Sequence, residues 1–551
     1  MSAPVILLLA VAAAILLVHV RVFSIHGAPA SAIELWKQAL RTPATFVTDD
    51  AYISFVYSRN LAEHGQLVFN LGEKPVEGYT NFLWTVLLAG LLKLGWLPER
   101  ASVFFGIACA IGSMIASAWL MFRLRGGRAW SGWDAVPALF LAAVPGYACW
   151  SSGGLETQMF TFFLTLGVAL YLAPPKGDSA TGEPPLRLSS ALFFGLAALT
   201  RPEGNLFFSL TLLHRGLGNL YFRRRIRPTR NEWMFVAVFA ALVVPHFVWR
   251  RMYYGWWLPN TFYIKSSGGA GAATWGRGFY YLQRYAEAFL IPAFALLPLA
   301  SLYRRREAGT NRFYGYAALV LPAFWLYVAS VGGDFMGLFR FALPVVPLLL
   351  VAAALGLRAV IAPWAEKRPV IAPVMVAGAL LLYLGYATSV DRKAIAIGSD
   401  NGIDTPGYLK YYTDDRAAIG KWFGANAQPD DYAAVGGAGA QVYFSKLRSL
   451  DCFGLSDEYI AHQVRPVDTR PGHQKYAPLD YQLSKKPTII TSNYYTIGNG
   501  PGAHREEELF RRNGYHYVSV EIPGLSLPWY TFLKRMDRKL GPLGTFDADL
   551  N

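Results

Sequence analysis

Two adjacent carboxylates, Asp49 and Asp50, follow about a helix-width beyond a hydrophobic N-terminal run, where the chain turns polar and aromatic until about Tyr79. Acidic side chains are costly beside a bilayer and mark function where they are kept. One carboxylate of such a pair can take a proton from an attacking hydroxyl while the other orients that hydroxyl or binds an ion. A helix cap or an ion pair is the plainer use of the same residues. Further candidates recur in short polar breaks between apolar runs. They are Tyr79 and Asn81 in Glu77–Phe82; Glu156 behind Gly153-Gly154; Arg201 and Glu203 in Thr200–Gly204; Asn260 and Lys265 in Trp257–Lys265; and Asp334 with Arg340 after Gly332-Gly333. Arg201 and Glu203 either neutralise one another or meet a phosphate or sugar. Glu156 either pairs with a helix N-terminus or touches substrate. Asp334 suits a cap, and Arg340 nearby adds a pocket for an anion. Trp256, Trp257, Phe262 and Tyr263 serve as interfacial belt residues or as platforms for sugar rings.

The elements that carry these breaks belong to a membrane protein. The chain of 551 residues is 54% hydrophobic, with a mean hydropathy of +0.27 and many long apolar runs, a combination foreign to a soluble protein of this size. The first run, Val5–Val18, has no basic leader and no small-residue cleavage site, so it is expected to be a retained span rather than a signal peptide. The net charge of +15 gathers in short loops: Arg123, Arg125 and Arg128; Arg223 to Arg225, Arg227 and Arg230; Arg304 to Arg306; Lys367 and Arg368. That is the positive-inside pattern, which reports orientation and argues against a nucleic-acid partner.

Holding these loops in the cytoplasm predicts about 11 crossings. They include Ser102–Phe122, Ala135–Trp150, Thr157–Leu172, Trp233–Trp249, Tyr285–Leu302, Tyr314–Val331, Phe341–Leu357 and Val370–Tyr386. Asn81–Leu94 is predicted to lie at the outer interface, because counting it as a span would invert every later loop. Ser189–Leu213 is predicted to be two short helices meeting at Pro202. Pro174–Pro185 is expected to be a cytoplasmic loop. With this topology the candidate residues fall on one face, the outer one. The predicted domains are a transmembrane catalytic domain over 1–390, whose first outer loop is 21–100, and an outer soluble α/β domain over 391–551. Tyr432–Val435 and Pro487–Thr491 are its expected strands, and Gly436–Ala440 leads into a helix.

Other chemistries lack their residues. The three cysteines stand apart, and His462 and His473 have no ligand-like spacing. No Walker loop, nucleophile elbow or dinucleotide fingerprint is present. A transporter would need a polar path open to both sides, and the cytoplasmic side offers no matching acids.

The chain resembles the GT-C superfamily of polytopic glycosyltransferases that use polyprenyl-phosphate sugars. Thr48–Asn70 (TDDAYISFVYSRNLAEHGQLVFN), Val76–Trp84 (VEGYTNFLW), Ser152–Thr157 (SGGLET), Leu199–Gly204 (LTRPEG), Leu258–Lys265 (LPNTFYIK) and Gly332–Pro347 (GGDFMGLFRFALPVVP) carry a closer resemblance. They are similar to the bacterial family of the terminal β-(1→2) arabinofuranosyltransferase, which also holds proteins labelled flagellar motor control proteins. The likeness spans the membrane part, and Asp451–Asp457 with Pro471–Lys475 extends it into the tail.

The resemblance implies an inverting transfer, of arabinofuranose in that family, from a polyprenyl-phosphate donor to an envelope glycan or glycoprotein. It implies Asp49 or Asp50 as general base, with a slight preference for Asp50. Arg201, Lys265 and Arg340 would face the leaving phosphate, and Glu203, Asn260, Asp334, Glu156, Tyr79 and Asn81 would join them around phosphate and sugar. It fixes no cofactor and leaves a divalent cation as an open addition. The expected place is the bacterial inner membrane, with site and tail on the periplasmic side. The alternative is a non-enzymatic inner-membrane factor for flagellar motor or envelope assembly, which would keep its function without the two aspartates.

Overall fold

A computed structural model describes residues 1–27, 29–172, 186–266, 271–303, 308–467, 470, 472–502 and 506–541. Pro174–Pro185 and Arg304–Arg306 lie outside the described residues. The membrane part opens with α1 (Ala3–Val22), α2 (Ala32–Arg41), α3 (Asp49–His64), α4 (Phe82–Lys93) and α5 (Pro98–Leu124). It continues through α6 (Val136–Ala143), α7 (Pro145–Ser152), α8 (Thr157–Leu172), α9 (Leu188–Thr200), α10 (Gly204–Arg223) and α11 (Arg230–Tyr254). It closes with α12 (Asn260–Ser266), α13 (Ala272–Phe289), α14 (Ile291–Leu296), α15 (Ala308–Ser330), α16 (Val346–Ala365) and α17 (Ile371–Ala394).

Among the described residues, six helices are long and apolar enough to cross a membrane. A seventh span arises if the helix pair over Gly132–Ala143 and Pro145–Ser152, bent by 70°, counts as one. The predicted count of about 11 is not reached by this measure, because several runs form shorter helices. At 1.5 Å per residue, 12-residue α4 and 16-residue α8 extend roughly 18 and 24 Å, against a hydrocarbon core of about 30 Å. Tyr285–Leu302 also departs from the expected single span. Helix α13 ends at Phe289, Leu290 turns left-handed (φ 53°), and the chain resumes as α14 and a 3₁₀ turn over Leu297–Tyr303. The expected break near Pro202 is present: α9 ends at Thr200 and α10 begins at Gly204. Gly204 has no room for a side chain, since a Cβ there would overlap the backbone of Ala198.

Helix α16 is the most enclosed span, and its Val346–Leu355 stretch is buried throughout. Helix α1 reaches the last span through a fully buried pair, His19 Nε2 to Asp391 Oδ2 at 2.9 Å. His19 Nδ1 lies 3.0 Å from the Ala142 carbonyl, so the ring is held at both nitrogens.

Beyond α17 the chain forms an antiparallel pair, β1 (Ser399–Asp400) with β2 (Ile403–Asp404), and then helix α18 (Pro406–Asn426). A mixed sheet follows. Strands β3 (Tyr432–Val435), β4 (Arg448–Asp451) and β5 (Ile489–Ile490) run parallel in the order β4-β3-β5. β6 (Thr496–Gly498), β7 (Tyr515–Glu521) and β8 (Trp529–Arg535) extend the sheet antiparallel through β8. The predicted helix after Gly436–Gly439 is α19 (Ala440–Ser445).

Candidate active site

Helix α3 begins at Asp49, so both aspartates occupy its first turn, where the positive end of the helix dipole favours carboxylates. The motif Ser152–Thr157 is the bed on which that turn rests. The Thr48 hydroxyl and backbone N–H both donate to the Gly153 carbonyl, at 3.1 and 3.2 Å. Gly154 sits at φ 79°, and a Cβ there would come within 2.7 Å of Ala51 and Val47. Glycine at this position lets the helix start lie directly on the loop.

The C-terminal domain closes over the same turn. The Ala440 backbone N–H donates to Asp49 Oδ1 at 2.8 Å, and a Cβ on Gly439 would overlap the Asp49 carbonyl oxygen. Burial pushes the Asp49 carboxyl up to about 6. The Ala440 hydrogen bond and Arg416 pull against this shift, and the neighbouring Asp50 charge adds to it. Asp49 and Asp50 line a cavity of about 250 Å³ between the two parts of the chain. Its other walls include Phe335 and Met336, Tyr408 and Tyr412, Asp451 and Phe453, and Ser492 and Asn493.

One turn beyond Asp50, a buried polar relay leads away from the pair. Ser54 Oγ and the Asn81 amide lie within 3.1 Å, and Asn81 Nδ2 donates to Glu156 Oε2 at 2.8 Å. Arg201 donates to Glu156 Oε1 at 2.8 Å and to both oxygens of Glu203 at 2.9 and 3.2 Å. Its guanidinium lies over the Phe341 ring, 5.3 Å from the centroid. Arg340 pairs with Asp334 at 2.9 Å and lies over Trp150. Asn81, Glu156, Arg201 and Glu203 thus form one network, with Asp334 and Arg340 as a neighbouring pair whose cation also acts on Glu156.

Tyr79 and Asn260 are engaged elsewhere. The Tyr79 hydroxyl lies 3.0 Å from that of Tyr254, inside a buried aromatic cluster. Asn260 Nδ2 reaches the carbonyls of Gly454, Leu455 and Asp457 at 2.8 to 3.1 Å, and its backbone N–H donates to the Glu77 carbonyl. These contacts tie the Leu258–Lys265 motif to the C-terminal domain. Glu77, buried against Arg250 at 2.8 Å, is pushed up to about 7 by burial, with Arg250 opposing. Lys265 lies in α12, but its side chain is outside the described residues.

Several residues of the site escape sequence reasoning. Asp451 ends a strand and is held by the backbone N–H groups of Phe453 and Ser456, each at 3.0 Å; burial pushes its carboxyl up to about 6. Its place within Asp451–Asp457 was the available signal. Arg416 is buried beneath the cavity between the rings of Tyr412 and Tyr495 and carries no such signal. Among the described residues no group of three or more His, Cys, Asp or Glu side chains is arranged to hold a metal ion.

The fold recurs in a solved structure. ArnT from Cupriavidus metallidurans in the apo state superposes with a TM-score of 0.55 at 14% identity, covering 96% of this chain and 97% of that one. The chain has the GT-C fold. The same ArnT bound to undecaprenyl phosphate matches at a TM-score of 0.52 and 15% identity, over 81% of this chain and 85% of that one. By sequence, the chain is 26% identical over 278 residues to the terminal β-(1→2) arabinofuranosyltransferase of Mycobacterium tuberculosis, covering 48% of this chain and 42% of the relative. The Corynebacterium glutamicum protein of that name is 27% identical over 368 residues, covering 58% of this chain and 49% of the relative. The chain spans less than half the length of each. Residues 406–533 match a family described as a domain of unknown function, DUF8728. With its fold and apolar helices, this is a multi-pass membrane protein.

Proposed function

We propose that the chain is an inverting membrane glycosyltransferase that moves a sugar, arabinofuranose by analogy with its relatives, from a polyprenyl-phosphate donor to an envelope glycan or glycoprotein. The observation that carries this reading is the aspartate pair at the head of α3, open to a cavity under the C-terminal domain and backed by the Asn81–Glu156–Arg201 relay. ArnT, bound in its solved form to undecaprenyl phosphate, supports a lipid phosphate as the leaving group. The site would face the periplasm of a bacterial inner membrane, in keeping with basic loops on the opposite side.

The acceptor hydroxyl oxygen forms the new bond to the anomeric carbon as the carbon–phosphate oxygen bond breaks on the far side, which inverts the centre. The hydroxyl proton passes to Asp50, and the electron pair leaves on the lipid phosphate. Asp49, fixed by the Ala440 N–H, holds the second negative charge in place and raises the basicity of the pair. Arg340, ion-paired with Asp334, is the cation for the departing phosphate; Arg201 is already shared between Glu156 and Glu203. Asp49 and Asp50 are the residues that would hold a divalent cation, which would supply positive charge to neutralise the departing phosphate.

Mass spectrometry of lipid-linked sugars and envelope glycans tests the reading in cells carrying wild-type protein, Asp49→Asn, Asp50→Asn or none. The expected result is accumulation of one polyprenyl-phosphate sugar and loss of one glycan residue in the null and in Asp50→Asn, whose turnover falls roughly 10²–10⁴-fold. Pools unchanged in the null would discard the enzyme and favour the assembly factor. Transfer in isolated membranes that stops with EDTA and returns with magnesium would establish the cation; transfer indifferent to EDTA would remove it.

A further inference from the structure

The C-terminal domain does more than cover the aspartates. In open α/β sheets, ligands bind in the crevice beyond the carboxyl ends of parallel strands. Here three parallel strands, β4, β3 and β5, end together at Asp451, Val435 and Ile490. The residues that end or follow them, Asp451 and Phe453, Gly436 to Ala438, and Ser492 and Asn493, line the same cavity as Asp49 and Asp50. One sheet end and the head of one helix therefore form two walls of a single space.

The cavity chemistry is specific. Aromatic rings come from four separate places: Phe335 before α16, Tyr408 and Tyr412 on α18, Phe453 after β4, and Tyr495 before β6. Such rings accept the C–H face of a sugar, while a few placed polar groups fix its hydroxyls. Asp451 is buried and preorganised by two backbone N–H groups, so it costs no reordering when a hydroxyl approaches. His473 packs edge-on against both Phe335 and Phe453, at 4.9 and 4.8 Å, and steadies the two rings. A volume of about 250 Å³ has room for a sugar ring. The usual sheet-edge route for a peptide is closed at β4, because the Asn70 side chain accepts from the Ser449 N–H and donates to the Ser449 carbonyl.

We propose that this crevice is the acceptor subsite and takes the terminal sugar ring of a glycan, with Phe453 as its stacking face and Asp451 and Asn493 as partners of its hydroxyls. The inference rests on the transferase reading for its meaning, but binding is measurable without transfer. The test is saturation-transfer NMR of the purified full chain in detergent with a panel of methyl furanosides and pyranosides of common pentoses and hexoses. At least one glycoside is expected to receive saturation, with affinity falling roughly tenfold in Asn493→Ala and in Phe453→Leu. Asn493 is exposed, so its variant reports binding even if Phe453→Leu folds poorly.

No saturation for any glycoside, or wild-type binding in a folded Asn493→Ala protein and in Phe453→Leu, overturns the subsite. Competition by a Ser-containing peptide in place of the glycosides overturns it in favour of a protein acceptor. Failure of the transferase reading shows separately, as unchanged lipid-linked sugar in the null cells.

Discussion

At the scale of the residue, the two aspartates share one cavity wall, and Asp49 is held by an N–H from a residue 391 positions away. The Asp49 carboxyl, raised from 3.8 to about 6, is protonated below that value and then lends no negative charge to the proposed base. The transfer rate should therefore rise with pH up to about 6 and level off above it, a limb that Asp49→Asn should displace. A pH–rate profile flat from 5 to 8 would separate the pair from the chemistry. The effect on stability has the opposite sign. A carboxyl with a raised native pKa holds its proton more tightly when folded, so its contribution is fullest below about 3.8 and is lost as pH rises through 6. The site thus gives up some stability at the pH where Asp49 is ionised.

At the scale of the element, the legible features were those that break a pattern. Pro202 flanked by Arg201 and Glu203 announces two helices, and Gly153-Gly154 before Glu156 announces a turn against something close. The break at Leu290 carries a fainter mark, Pro292 in the first turn of α14, set within a continuous apolar run; the left-handed turn itself is made by an ordinary residue held by its surroundings. The contact between Gly439 and Asp49 was illegible for another reason. It joins the start of one helix to the start of another across most of the chain, and no local periodicity records such a contact. It yields a prediction for the elements it joins. Gly439→Ala must push α19 away from α3, at a cost of about 1–3 kcal/mol. The purified protein should melt several degrees lower and lose transfer, whereas Gly498→Ala, with no atom nearer than 3.5 Å to a new Cβ, should not. Equal melting of the two variants would show that the contact carries no load.

At the scale of the whole molecule, hydropathy and charge delimited the membrane part, while the C-terminal sheet was only partly legible. Its strand β5 has two residues and β6 three, too short for alternation to register. Orientation is open to direct measurement. In a variant without native cysteines, a membrane-impermeant maleimide should label Asp430→Cys in intact spheroplasts and Arg128→Cys only after permeabilisation. The reverse pattern would place the aspartates on the cytoplasmic face.

The long reach of the Ala440 contact also has a meaning in time. Synthesis proceeds at about 5–20 residues per second, so the ribosome needs roughly 20 to 80 seconds between making Asp49 and making Ala440. Through that interval the nascent chain has its acidic pair in place with nothing above it to set Asp49. Asp49 therefore gains its Ala440 partner late and in one step, when the tail folds down, so the membrane helices must hold the acidic pair unaided until the last fifth of the chain is made.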